Sequence, residues 1–217
     1  MSMLELNPEI PKDPDKVKRI MKSATRIFAK NGYLQAKTAD IAKDAEVSKG
    51  IVFRYFGDKG HLYLATVEYV YERLTDVADL SVWTDAKDLG DMIERAVRYK
   101  IQMQLDYPAE FKVSVQSFSD MKLLPADVQP EMAEFWKKRT AKSTATLEQP
   151  VLDRMHVRAG VDKKVLEKLL NSVGEAVFAD AQVFMQKHPN AQIEDFEPII
   201  EQIRSEFDII EHGFLDE

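Results

Sequence analysis

Cysteine is absent from all 217 residues, which excludes disulfides and thiolate metal centres and fits a reducing compartment. No apolar run approaches the roughly 18 residues that a membrane span requires, so no membrane partner is expected. Residues 1–20 carry Glu5, Glu9, Asp13 and Asp15 among Pro8, Pro11 and Pro14, which leaves no secretory apolar segment and predicts a cytoplasmic protein. The histidines His61, His156, His188 and His212 lack metal-ligand spacing, and neither a glycine-rich phosphate loop nor a nucleophile motif is present. No enzymatic activity, cofactor or metal is therefore expected. There is also no convincing strand, repeat or low-complexity segment.

What is present is an uneven distribution of charge. The net charge is −7, yet residues 1–60 hold 12 Lys or Arg against 8 Asp or Glu, and the remainder holds 18 against 29. A basic end on an acidic body keeps a polyanionic partner possible, because electrostatic attraction acts over a Debye length of about 10 Å.

Periodicity predicts an all-α chain of about nine helices. Residues 1–13, interrupted by prolines, read as a disordered arm. From Asp15, the residues Val17, Ile20, Met21, Ala24, Ile27 and Phe28 recur at three- and four-residue steps, and Asn31-Gly32 ends that helix. Thr38 is placed to cap a short second helix, Ser48 a short third and Asp58 a longer fourth. Two short helices joined by a tight turn after a longer one have helix-turn-helix spacing. Further helices are expected at 86–106, 109–118 and from about 130, the last kinked at Pro150 and finished by Gly160. Two more follow, one from an Asp162 cap to about Lys187 and one over about 195–212 with Pro198 in its first turn.

The stretch "SKGIVFRYF" supplies what a helix needs to enter the major groove. Ser48 offers a hydroxyl and free N–H groups at a helix start, Gly50 permits close backbone approach, Ile51 can press on a thymine methyl, and Arg54 can grip guanine or phosphate. Val47 and Val52 are expected to face inward against Ile41 and Ala45. Gly32, Tyr33, Ile41, Ala42, Ala45, Val47, Ser48, Gly50, Tyr55, Phe56, Lys59 and Leu62 occur without insertion in a pattern that resembles the DNA-binding domain of the TetR family of bacterial transcription regulators. The resemblance extends over about residues 15–75. It implies a helix-turn-helix domain at 14–60, with the motif at about 38–57, and an effector-binding and dimerisation domain at 61–217. It implies DNA contacts from Thr38, Ser48, Lys49, Gly50, Ile51, Phe53, Arg54, Tyr55 and Lys59. Three positions depart from the pattern: Ala36 stands where a threonine is usual, Glu46 replaces the turn glycine, and Phe53 replaces a common tyrosine.

In the last helix Phe196, Ile200, Ile203, Phe207, Ile210 and Phe214 recur at heptad steps, and the helix before it shows Val165, Leu166, Leu169, Val173, Val177, Ala181 and Phe184. These residues are expected to form a homodimer interface, as the resemblance also implies, so that two recognition helices can read a palindromic operator in double-stranded DNA. Met103, Phe111, Phe118, Met132, Trp136 and Arg139 are candidates for the lining of a small-molecule site, with Lys112 and His156 as further polar candidates and an apolar or aromatic effector. The expected function is a ligand-responsive repressor. The rival is a nucleoid or interaction protein of the same fold without an effector.

Overall fold

The computed structural model describes residues 11–87, 89–143, 153, 158–188 and 193–213, and every regular element among them is helical. In chain order these are α1 (Pro14–Gln35), α2 (Thr38–Asp44), α3 (Lys49–Phe56), α4 (Lys59–Asp76), α5 (Ser81–Thr84), α6 (Leu89–Asp106), α7 (Pro108–Asp120), α8 (Val128–Ser143), α9 (Lys163–Lys187) and α10 (Glu197–His212). The single turn α5 accounts for ten described helices where about nine were expected. The predicted kink at Pro150, the candidate His156 and Phe214 lie outside the described residues. No described helix is long and apolar enough to cross a membrane.

Short polar side chains cap four of the described helices, α1, α3, α4 and α9. Ser48 Oγ accepts from Ile51 N, Asp58 Oδ1 from His61 N, and Asp162 Oδ1 from Lys164 N, each satisfying a backbone donor that the helix itself cannot. Asp13, expected in the arm, caps α1 by accepting from Asp15 N and Lys16 N. Thr38 is not a cap: the position before α2 belongs to Lys37, which gives no side-chain bond. Gly32 breaks the first helix at φ 67°, and one further turn runs on to Gln35.

The helices form two compact units, Met1–Ala78 with Tyr107–Thr140, and Asp79–Asp106 with Ala141–Glu217. The chain leaves the first unit after Ala78 and not after residue 60, because α4 buries Leu62, Tyr63, Leu64, Ala65, Val67 and Val70 in the same core as α1. Tyr63 is the hub of that core. Its ring meets Phe28 edge-on at 4.8 Å and Tyr33 at 5.2 Å, and its hydroxyl donates to Asp120 at the end of α7 at 2.9 Å. Burial, reinforced by the Asp120 carboxylate, pushes the Tyr63 hydroxyl far above its ordinary pKa, so it remains a donor at every working pH.

In the second unit the apolar stripe of α10 is spent within one chain, which corrects the expectation of a dimer seam. Phe196, Ile200, Ile203 and Phe207 are fully buried against α6 and α9 residues such as Met92, Ile101 and Leu170, so they have no surface left for another copy. Val173, Phe184 and Ile210 pack half-buried on the same clusters, and the side chains of Val177 and Ala181 lie outside the described residues.

An ion-pair network joins α6 to α10 in this unit. Arg204 donates to both oxygens of Glu94 at 2.6 and 2.7 Å, while Arg98 donates to Glu94 at 3.1 Å and to both oxygens of Glu197 at 2.9 and 2.8 Å. The Arg204 bonds, with those of Arg98, outweigh burial and hold the Glu94 carboxyl below its ordinary 4.5. A carboxylate whose folded value is depressed stabilises the fold fully above the unfolded value and loses that contribution as pH falls through the folded one. Melting temperature should therefore fall as pH drops below about 4.5, and Glu94→Gln should flatten that acid limb while costing about 0.5–1 kcal/mol at neutral pH. An acid limb of the same slope in both proteins, followed by circular dichroism, would remove Glu94 from the account.

Candidate nucleic-acid interface

The turn between α2 and α3 is a left-handed helix stop made without glycine. Val47 N donates to Ala42 O at 3.0 Å and Glu46 N to Lys43 O at 3.1 Å, the paired bonds of a Schellman motif, and Glu46 takes φ 54°. A side chain in that region costs about 1–2 kcal/mol. Arg19 Nη1 on α1 meets the Glu46 carboxylate at 3.3 Å, a partly exposed contact that helps hold the strained residue. Two further bonds fix α2 on α1: Ser23 Oγ donates to Ile41 O at 3.0 Å, and Arg26 pairs with Asp44. Bonds from Ser23 and then Arg26 hold Asp44 below the ordinary carboxylate range. Asp44 and Glu46, the two acids nearest α3, thus face arginines of α1, and the exposed charges of α3 are the cations Lys49 and Arg54.

That outer side is one strip. Lys49, Gly50, Phe53 and Arg54 are exposed, at positions that fall together on one face of the helix, while Val52, Tyr55 and Phe56 are buried. Lys49 Nζ stands 5.4 Å over the Phe53 ring, which is 37% exposed. Val47 and Ile51 are half-buried against the core, so Ile51 has less reach outward than its place in the motif suggests. Gly50 has no internal reason to be glycine: a Cβ there would meet only Ser48 Oγ, at 3.8 Å.

The other sequence-derived residues are placed differently. Tyr55 is buried, and its hydroxyl accepts from Asp13 N at 3.1 Å, tethering the start of α1 to the end of α3 instead of facing outward. Lys59 donates to Leu34 O at 2.9 Å and lies 4.7 Å over the Tyr33 ring, and burial lowers its pKa. Thr38 is half-buried at the first position of α2.

One grouping was invisible in the sequence. Asp127 comes within 4.8 Å of Asp58 and His61, whose ring Nδ1 lies 2.8 Å from Asp58 Oδ2. Burial pushes Asp58 up, but its bonds with the His61 backbone and ring outweigh this and leave it below the ordinary value. Nothing in the local pattern announces a partner 66 residues beyond His61. Of the effector candidates, Phe111, Phe118, Met132, Trp136 and Arg139 belong to the first unit and Met103 to the second.

Against known proteins, the profile of the family described as bacterial regulatory proteins, tetR family, matches residues 20–66. An HTH-type transcriptional repressor of Streptomyces coelicolor is 33% identical over 89 residues, 41% of this chain and 44% of that protein. The HTH-type transcriptional regulator HbdR of an Aromatoleum species is 33% identical over 76 residues, 33% of each. The chain thus spans less than half the length of these curated relatives. Among solved structures, a TetR family transcription regulator from Marinobacter aquaeolei VT8 is similar with a TM-score of 0.60 at 21% identity, covering 89% of this chain and 95% of that one. The transcriptional regulator FadR from Bacillus subtilis, solved in complex with stearoyl-CoA, has a TM-score of 0.56 at 12% identity, covering 92% and 100%. At these identities the likeness is one of fold.

Proposed function

We propose, from the match of residues 20–66 to the family described as bacterial regulatory proteins, tetR family, that the protein is a homodimeric, ligand-responsive transcription regulator, a repressor that occludes its operator. The observation that carries this reading is the outer strip of α3, where Lys49, Gly50, Phe53 and Arg54 stand exposed on a helix capped by Ser48 and braced by α1. In a major groove, Arg54 would take guanine or phosphate, Lys49 phosphate, and Phe53 apolar contact with a thymine methyl. Thr38 and Lys59 are the further candidates for phosphate. Lys59 would first have to release the Leu34 carbonyl to reach a phosphate.

One eight-residue helix reads too few base pairs for a unique address, so function favours two copies about 34 Å apart on a palindrome. The exposed face of α9 supports such pairing better than the buried stripe of α10. Val165, Leu169, Ser172, Ala176, Ala179 and Val183 recur at alternating four- and three-residue steps, all exposed, with Val165 at 64% and Leu169 at 45%. Small residues at the middle of this stripe allow close helix approach. An effector would release the dimer only by binding the DNA-incompatible state more tightly. The stearoyl-CoA bound to the Bacillus subtilis FadR supports a small-molecule effector with an apolar portion.

Selection from random duplexes followed by mobility shift should give a palindromic site whose affinity falls with salt. Leu169→Asp should raise the dimer dissociation constant about tenfold in sedimentation and weaken binding to the two-half-site duplex in parallel. No salt-dependent binding to any duplex would overturn the reading.

A further inference from the structure

The first unit contains a ring cluster whose polar edge is incomplete. α8 contributes Phe135, Trp136 and Arg139, α4 contributes Tyr71, and α7 contributes Phe118. Trp136 meets Phe135 at 5.1 Å and Tyr71 at 5.8 Å, both edge-on, and Phe118 stacks on its indole at 4.1 Å. Trp136 is only 8% exposed, yet its indole Nε1 finds no acceptor. A buried N–H left in that condition is costly, and such groups in native proteins call for a partner. Nearby, the Arg139 guanidinium lies 5.0 Å from the Tyr71 ring centre and 5.3 Å from that of Phe135. Among the described residues no carboxylate pairs with it.

Two donors with no acceptor among the described residues, one of them cationic, beside aromatic rings define what would complete them. The missing group accepts hydrogen bonds, carries negative charge and is attached to an apolar body. Phe118 is placed to yield to that body, since it is 54% exposed although it covers one face of the buried indole.

We infer that the Tyr71–Phe118–Phe135–Trp136–Arg139 cluster binds the carboxylate end of an amphiphilic acid, with the indole N–H and the Arg139 guanidinium as its two donors. This rests on the ligand-responsive reading above and names the chemical class of the effector. An aliphatic acid and an aromatic acid share the chemistry, and two probes distinguish them. A ligand seated there touches α4 and α7, both packed on α1 within the same unit, so its binding energy bears directly on the helices that carry α3.

The test is isothermal titration of the full chain, without DNA, using sodium decanoate below its micellar concentration, 2-naphthoate, and decylammonium as the charge-reversed control. Saturable uptake of at least one acid is expected, decanoate marking an aliphatic body and naphthoate an aromatic one, with little or none of the amine. Trp136→Phe keeps a ring in the core but deletes the donor, and should bind the acid about tenfold more weakly. Arg139→Gln, at a half-buried position, should do the same and guards against a folding defect in the first variant. Uptake of neither acid, equal uptake of amine and acid, or wild-type affinity in both variants would overturn the proposal. Because DNA is absent from the titration, acid binding without any operator binding would leave this site standing while the regulator reading fell, and the reverse pattern would do the opposite.

Discussion

Gly50→Ala is expected to leave the protein folded and slightly more stable while weakening its grip on operator DNA by about 30-fold or more. The stability half follows from the helix. Gly50 is the second residue of α3, it is exposed, and an added Cβ would have only Ser48 Oγ near it, at an ordinary 3.8 Å. Alanine in a helix is favoured over glycine by about 0.5–1 kcal/mol, worth a rise of roughly 1–4 °C in melting temperature for a chain of this size. The fold gains nothing from glycine here, and the proposed DNA contact supplies a reason for it. A bare Cα beside Lys49 and Arg54 lets the α3 backbone come closer to a phosphate or base edge than any side chain would permit. A methyl group there pushes the helix out of register with several contacts at once, and losing about 2 kcal/mol of them corresponds to about 30-fold. Arg54→Ala provides the internal comparison. It removes one contact, costs about 5- to 100-fold, and lowers the salt slope by about one if its partner is a phosphate. Wild-type affinity in the Gly50→Ala protein would mean that α3 does not approach DNA by this face.

How far the sequence revealed this molecule depends on the range of the interaction. Ser48, Asp58 and Asp162 were legible as caps because a cap depends on the next three residues, whereas Glu46 in place of the turn glycine left a left-handed residue and a variant turn both open, and its φ of 54° decides for the first. Thr38 was misread because the local pattern cannot say whether the helix begins at the hydroxyl residue or one before it, and Lys37 holds the cap position. The α10 stripe shows where sequence stops. Heptad spacing announces one apolar face but not which surface covers it, and α6 of the same chain brought Met92, Val97 and Ile101 to fill the role assigned to a second copy. Of the exposed stripe of α9 only Val165 and Leu169 were legible, since Ser172, Ala176 and Ala179 add little hydrophobicity to it. Tyr55 was assigned outward by the family resemblance, whereas the fold buries it and brings Asp13 to its hydroxyl. The orphaned indole of Trp136 and the Arg98–Glu197 bonds are likewise long-range outcomes that no spacing encodes.

Gly60→Ala should show the opposite balance, a loss of about 2 kcal/mol in stability, seen as a melting temperature lower by roughly 4–8 °C. Gly60 is buried at the second position of α4, where helix propensity alone would again favour alanine. Here the surroundings are occupied. A Cβ would stand 3.0 Å from Pro125 Cδ, 3.0 Å from Val128 Cγ2 and 3.1 Å from Pro125 Cγ. The proline ring cannot rotate away, and Val128 is fully buried at the start of α8, so neither neighbour yields cheaply. Overpacking of this kind costs about 1–3 kcal/mol, and two stiff neighbours place it at the upper end before the propensity gain of up to 1 kcal/mol is deducted. The strain also falls next to Asp58, the cap of α4, one residue after the chain leaves α3 at Gly57, so operator affinity should decline together with stability. Two glycines ten positions apart are then separated by the same pair of measurements. The first loses DNA while the fold tightens, because what it accommodates arrives from outside. The second loses both, because what it accommodates is the Pro125–Val128 segment, and an unchanged melting curve for Gly60→Ala would show that segment to be free to shift by the few tenths of an ångström the methyl demands.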